Sequence, residues 1–491
     1  MKRIIGFCLS ILMLITTFTA CKKDNINNSD KDNGNSLSDE RDQVTTESDQ
    51  SIAKESEQKS SNEFGKATLV SPIYPQMAQY PDEMSFVDAK TGEFDSEGFD
   101  QVYDAWNTDR NRQFAYKEKY SGDYYNYFAN TSKIILADQN QKNPVYSPLS
   151  LFMALAMLAE TTNGQSREQI LNLLETKDIV NLRSDAEAIW NSNYCQDGAL
   201  NSVLANSLWL DNECTYRANT IEALSKYYYA SAFQGEMGSE QYNDQLHSWI
   251  NTHTDNLLTE QAGNLEFEPD TILGLVSTVL FQAKWVNEFS ETNTRKAVFH
   301  GIDQDIEIDF LNYSDSDTYY WTENFGAIRL PLESGGDMWF MLPDQDVEPL
   351  DIINNDQFYK LLKDDTWQDQ KFLTVNFSAP KFDISADFNL NQSLQNLGIK
   401  DVFDQKQADF TPLLANDSDL AFLSTVKQGT RVAIDEEGVT AASFTAMMTA
   451  GAAMPPEEEI DFVLDRPFVF VINGISGLPL FIGIVNQVEL K

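Results

Sequence analysis

The sequence predicts a mixed α+β domain over residues 117–491, and three features predict it. Helix-type patterns come first and strand-type patterns dominate later. No internal repeat relates the parts, and the 42% of hydrophobic residues suffices for a large buried core. In NPVYSPLSLFMALAMLAE, Ser147 is placed to cap a helix whose first position is Pro148, where a missing N–H costs nothing. The apolar run behind it reads as a deeply buried helix. Asn163-Gly164 breaks that helix, and Ser166 with Gln169 reads as the capping box of a second one, REQILNLLE. SVLANSLWL, residues 202–210, reads as a strand. Two strand-like runs between residues 328 and 342 flank Ser334-Gly335-Gly336 and predict a hairpin. Residues 372–384, FLTVNFSAPKFDI, alternate with period two and predict a long strand interrupted at Pro380. Leu390 to Leu397 form a short helix closed by Gly398. The closing stretch, PFVFVINGISGLPLFIGIV, reads as two buried strands around a glycine-rich turn.

Charge narrows the function classes. The formal net charge is -41, from 76 acidic against 35 basic residues. Such a surface repels phosphate backbones and anionic headgroups, so nucleic acid is not an expected partner, and the acidity reads mainly as solubility. Of the four cysteines, Cys195 and Cys214 are candidates for pairing in an oxidising compartment. The apolar strand between them argues against it, because it would hold the two thiols far apart.

The first 20 residues read as an export signal: Lys2 and Arg3, then an apolar stretch ending in small residues. Its last residues with the next cysteine, FTAC, resemble a lipobox, in which Cys21 would carry a diacylglycerol and become the mature N-terminus, although Phe18 departs from the usual leucine. Ordinary signal cleavage near Ala20 is the alternative; a membrane-spanning helix fits less well, since the stretch is short and a polar tail follows. Residues 21–65 are almost wholly polar and cannot bury enough apolar surface to offset their ordering entropy, so they read as a disordered tether. Residues 66–116 regain Pro, Tyr and Trp and read as an N-terminal extension that packs on the core.

Five segments in order resemble the serpin family: NPVYSPLSLFMALAML, its buried second helix; LANSLWLD, the strand after its early helices; TVLFQAKWVNEF, the strand that sets a tryptophan, here Trp285, at the top of the main sheet; APKFDISADFNLNQSLQNLGIKDVF; and RPFVFVINGISGLPLFIGIV, its closing hairpin. The resemblance implies a fold of three β-sheets and about nine helices with an exposed reactive loop. It also implies a mechanism: a protease cuts the loop, is held as an acyl-enzyme, and is carried across the domain as the freed loop enters the main sheet as a new strand. The sheet-opening region would comprise Ser147, Ser150, Ser277, Trp285 and Gln428. The family often has Asn and His where this chain has Ser277 and Gln428, which puts the strength of the latch in question; Gln428 retains a donor and an acceptor.

The implied loop starts at Asp435, in DEEGVTAASFTAMMTAGAAMPPEEE. Its hinge comprises Glu436, Glu437, Gly438, Val439, Ala441, Ser443 and Thr445, with Gly438 supplying the bend. By the period-two rule Val439, Ala441, Ser443 and Thr445 share one face, and all are small or β-branched. The other face carries the one bulky residue, Phe444. Ser443 and Phe444 depart from the usual alanine-rich hinge, which puts the speed of insertion in question. Sixteen residues on from Glu436, and three back from Pro455, both give Ala452, so the scissile bond is expected between Ala452 and Ala453. A shift to Met454 breaks both anchors. A small residue at the cut suits elastase-like or subtilisin-like pockets, and the loop from Gly438 to Pro456 has no basic residue for a trypsin-like one.

Other chemistry is not supported. His247 and His253 lack the spacing of a helical zinc pair, and all three histidines, with His300, read as surface residues. GISG at 474–477 has the wrong spacing for a nucleophile elbow. No phosphate-binding glycine loop occurs. The expectation is therefore not an enzyme but a monomeric serine protease inhibitor, with no cofactor or metal, exported and lipid-anchored to the bacterial cell envelope, its partners being proteases with small-residue primary pockets. Competing readings are a non-inhibitory binding protein on the same fold and an unrelated sugar-capturing lipoprotein.

Overall fold

A computed structural model describes residues 67–489 apart from 121, 139–141, 334, 364–365, 417–420, 424 and 440–455, together with the backbone of residues 8–17. The described strands, in chain order, are β1 (Cys8–Thr17), β2 (Thr68–Val70), β3 (Val145–Tyr146), β4 (Cys195–Gln196), β5 (Leu200–Asp211), β6 (Ala230–Gly235), β7 (Thr271–Lys284), β8 (Arg295–His300), β9 (Asp305–Trp321), β10 (Phe325–Pro331), β11 (Asp337–Pro343), β12 (Gln370–Pro380), β13 (Phe382–Asn389), β14 (Thr425–Ile434), β15 (Gly438–Val439), β16 (Glu459–Val463), β17 (Phe468–Asn473) and β18 (Pro479–Val485). They build an α+β domain of three sheets. The main sheet runs β13-β14-β1-β7-β5-β6-β2, with β15 added on β7. The other two share the long strand β9. Its first residues pair with β8 and much of its length with β12, while Tyr319 to Trp321 also pair with β10, which leads on to β11, β17, β18 and β3.

Eleven α-helices lie among the described residues, against about nine implied by the resemblance. The excess comes from short pieces such as Thr259–Gly263 and Pro349–Asn354. Three helices concern the argument: α1 (Ser96–Phe114), α2 (Tyr125–Ile135) and α3 (Pro148–Thr161). Every one of the fourteen residues of α3 is buried, as an all-round apolar helix must be. It starts as its sequence predicts: the Ser147 hydroxyl accepts from the Ser150 N–H at 3.2 Å, with Pro148 in the first turn. Both hairpins also form where their turn residues place them, β10 with β11 and β17 with β18.

Three local expectations are corrected. The second helix, Gly164–Leu173, starts two residues before Ser166, and no capping box forms. The Ser166 hydroxyl instead accepts from the Asp409 N–H, and the Gln169 side chain accepts from the Lys400 and Asp401 N–H groups and donates to the Asp401 carboxylate. Their polar atoms are used on a distant segment. Pro380 does more than interrupt a strand: β12 and β13 lie in different sheets, with Lys381 between them. The histidines are not all on the surface. His253 stacks on Trp249 with ring centroids 4.3 Å apart, and burial lowers its pKa to about 4 despite a 2.8 Å contact to the Trp249 carbonyl. His247 is half-buried, within 2.6 Å of the Leu265 carbonyl, and His300 is exposed beside Asp305. Cys195 and Cys214 are both buried free thiols.

Residues 67–116 bring aromatic groups against the body. Tyr74 meets Trp190, Tyr194 and Tyr229, with centroids 5.0 to 6.3 Å apart. On α1, Trp106 is buried and its indole N–H donates to Asp197 at 2.7 Å. Among the described residues no helix is long and apolar enough to cross a membrane.

Candidate functional site

The main sheet is built around one strand position. In the full-length chain β1 fills it, antiparallel to β7 on one side and to β14 on the other. Its rows define the slot: Cys8 lies between Phe281 and Val432, Ser10 between Val279 and Thr430, Ile11 between Thr278 and Gly429, and Leu12 between Ser277 and Gln428. A strand here satisfies the facing N–H and C=O groups of both neighbours.

Below the slot lies the N-terminus of α3, and each bank is tied to it separately. On the β14 bank the Gln428 amide accepts from the Ser147 N–H at 3.2 Å and donates to the Ser147 carbonyl at 3.0 Å. Thr430, two rows on, donates to the Val145 carbonyl. On the β7 bank the Ser150 hydroxyl reaches the Ser277 carbonyl at 3.4 Å and its hydroxyl at 3.3 Å. Ser147, Ser150, Ser277, Gln428 and Thr430 are fully buried. All are neutral, so none carries the desolvation cost of a buried charge.

At the top of the slot the chain leaves β14 and turns. The Asp435 carboxylate accepts from the N–H groups of Glu437 and Gly438 at 3.0 and 3.2 Å, and the Asp435 N–H donates to the Gly438 carbonyl. The turn delivers Gly438 and Val439 onto β7, paired antiparallel with Lys284 and Ala283. Gly438 does not serve here by a left-handed bend. A Cβ on it would stand 2.2 Å from the Ala283 carbonyl oxygen and 2.8 Å from Lys284 Cα, so glycine is needed for close backbone approach. Trp285 is buried beside it. Its indole donates to the Asp435 carbonyl at 2.9 Å, and its backbone N–H donates to the Glu437 carbonyl.

Glu436 is the charged fastening of the turn. It meets the Lys381 ammonium at 2.6 Å and accepts from the Thr294 hydroxyl at 2.8 Å. Burial acts to raise its pKa, but these two partners and a backbone N–H together outweigh burial and hold the carboxyl below its ordinary 4.5. Asp435, Lys381, Thr294 and Thr430 were not among the residues singled out from the sequence. Lys381 lies 55 positions from Glu436, and its one local mark is its place after Pro380. The structure thus brings Glu436, Glu437, Gly438, Val439 and Trp285 together at the top of the slot, and Ser147, Ser150, Ser277 and Gln428 beneath its middle. Ala441, Ser443, Thr445, Ala452, Ala453 and Cys21 lie outside the described residues. No cluster of three or more metal-ligating side chains occurs among the described residues.

Comparison with known proteins bears on this geometry. Residues 125–488 match the family model described as serpin, serine protease inhibitor. Plasminogen activator inhibitor 1 of Sus scrofa is 24% identical over 380 residues, 72% of this chain and 89% of that protein. A protein named serine protease inhibitor from Cyanea capillata is 26% identical over 361 residues, 70% and 92% of the two chains. Among solved structures, the thermophilic serpin tengpin in its native state superposes with a TM-score of 0.65 at 22% identity, over 74% of this chain and 93% of that one. Thyroxine-binding globulin in complex with thyroxine shares the fold at a TM-score of 0.61 and 20% identity, over 74% and 98%. The chain belongs to the serpin family, a family of serine protease inhibitors and not of enzymes.

Proposed function

We propose that the chain traps serine proteases as a suicide substrate, cut between Ala452 and Ala453, with the freed loop entering the slot between β7 and β14. One observation carries this reading: β15 already pairs with the top of β7 in a register that continues into the slot. Extending Val439 opposite Ala283 sets Ala441 in the row of Phe281 and Val432, Ser443 in that of Val279 and Thr430, and Thr445 in that of Ser277 and Gln428. These are the rows that face α3, where Gln428 and Ser277 are buried, and the loop offers only small or β-branched residues to them. A one-residue slip would turn Phe444 into that face. Fifteen residues of loop inserted at ~3.3 Å each span roughly 50 Å, about the length needed to carry a bound protease from one end of the domain to the other.

In this reading residues 1–20 are removed on export, which frees the slot that β1 fills in the full-length chain. Cys21 carries the lipid and residues 21–65 form the tether. Small residues before the cut direct the trap to elastase-like or subtilisin-like proteases. The test uses the exported form, beginning at Cys21, mixed with pancreatic elastase, subtilisin or trypsin. The expected result is a complex with elastase or subtilisin that survives boiling in detergent, and its loss in Val439→Arg, which sets a charge against the closed face. Clean cleavage without such a complex overturns the reading.

A further inference from the structure

Among the described residues, six of the eleven large apolar side chains that stand exposed lie in the N-terminal extension, residues 67–116. Four of them, Met84, Phe94, Val102 and Tyr103, are 37 to 69% exposed and lie on α1 or in the turns folded onto it. Phe94, Phe99 and Tyr103 form a continuous row, with ring centroids 5.5 and 5.8 Å apart. Nothing in the trapping reading uses this face. We propose that it is a docking surface for a serine protease of net positive charge, engaged before the reactive loop is cut. The proposal rests on the trapping reading and adds the charge of its partner.

Place selects a protease. Trp106, on the buried side of α1, donates to the Asp197 carboxylate at 2.7 Å, and the same carboxylate accepts from the Leu200 N–H at 2.8 Å. Leu200 pairs with Ala283, and Ala283 pairs with Val439 of the hinge. The fastening of α1 thus lies two strand spacings, ~10 Å, from the row that the hinge occupies. The far end of the helix reaches the turn of the hairpin β10–β11, where a Cβ on Gly335 would stand 3.3 Å from the Phe114 ring. Leu332, beside that turn, pairs with Trp285. The extension therefore sits at the end of the domain where the loop leaves the main sheet, and a protease working on the loop stands beside it.

Charge selects a basic one. Residues 80–109 hold nine carboxylates and a single ammonium, Lys90. Glu93 and Asp95 flank Phe94, Asp100 follows Phe99 and Asp104 follows Tyr103, and all four carboxylates are exposed. An apolar centre with a rim of charge has the anatomy of a protein-binding surface. A rim of one sign repels a second copy of this chain, whose net charge is -41, and draws in a cationic partner. Such rim charges act mainly on the rate of encounter.

The test measures how fast the exported form, beginning at Cys21, gives the detergent-stable complex with an elastase-like protease of net positive charge. The variant Glu97→Gln/Asp100→Asn/Asp104→Asn discharges the rim on α1. Its control, Glu266→Gln/Glu268→Gln/Asp270→Asn, removes as much charge beside Thr271, at the other end of β7, roughly 45 Å away over its fourteen residues. At low salt the α1 variant is expected to be about 5- to 10-fold slower than the parent and the control within about twofold of it. The difference should close near 1 M salt, where the screening length is about 3 Å, and should be absent for the same protease with its lysines succinylated, which reverses its charge. If the parent forms the complex and the α1 variant forms it as fast, or no slower than the control, the docking proposal is wrong and the trap stands. Self-association of the parent through this face, lost in Tyr103→Ala on sedimentation, would also overturn it. If the parent forms no complex at all, both readings fall together.

Discussion

The top of the slot and its middle are fastened by different physics. At the top, an ion pair between Glu436 and Lys381, an indole N–H and an aspartate-capped turn hold the hinge against β7. In the middle, one amide and three hydroxyls hold the two banks to the start of α3, with no charge among them. A charged fastening responds to pH and salt and releases readily near solvent. A neutral buried one does not titrate, and it resists until its partners are exchanged together. The comparison teaches that starting an insertion and passing the strand through are separately adjustable. The banks differ as well: β14 is held by the two Gln428 bonds and by Thr430, β7 by two contacts of 3.3 and 3.4 Å. The β7 side is therefore the one set to yield.

Gln428→Ala should show the largest effect. It leaves the Ser147 N–H and carbonyl buried without their partner, at a cost of about 2–3 kcal/mol to the intact form by denaturant titration. A cost near zero would mean that the β14 bank is not held by this residue. Lys381→Ala should cost less, about 1 kcal/mol, because the ammonium is partly exposed. Its pH signature is the sharper readout. The folded pKa of Glu436 lies below its ordinary 4.5, so the ion pair contributes stability above that value and loses it as pH falls through the depressed one. The difference between parent and Lys381→Ala should be full at pH 6 and shrink below pH 4. A difference constant with pH would place the hinge's fastening elsewhere. The neutral middle predicts no such dependence for Gln428→Ala.

Much of this architecture could be read from local pattern. Ser147-Pro148 announced the start of α3, the apolar run its burial, and the glycine turns the hairpins, because each is decided by residues within a few positions. The middle of the slot was reached only through family resemblance, since Ser277 and Gln428 have no local mark. The top was half legible. Glu436 and Gly438 were named, but the reason for Gly438 is a backbone 154 residues away in sequence, and the partner of Glu436 follows a proline whose role was to send the chain from one sheet to another. Ser166 and Gln169 show the converse: a pattern that reads as a local cap was used for tertiary bonds. Local chemistry states what a side chain can bond to, and the fold decides which partner arrives.

The central claim is that a cut loop becomes a strand between β7 and β14. It is tested most directly by melting the exported form before and after cleavage at Ala452. A new fully paired strand in the sheet predicts that the nicked protein unfolds at a distinctly higher temperature than the intact one. Equal melting temperatures would contradict the account, because the severed loop would then have gained no place in the sheet.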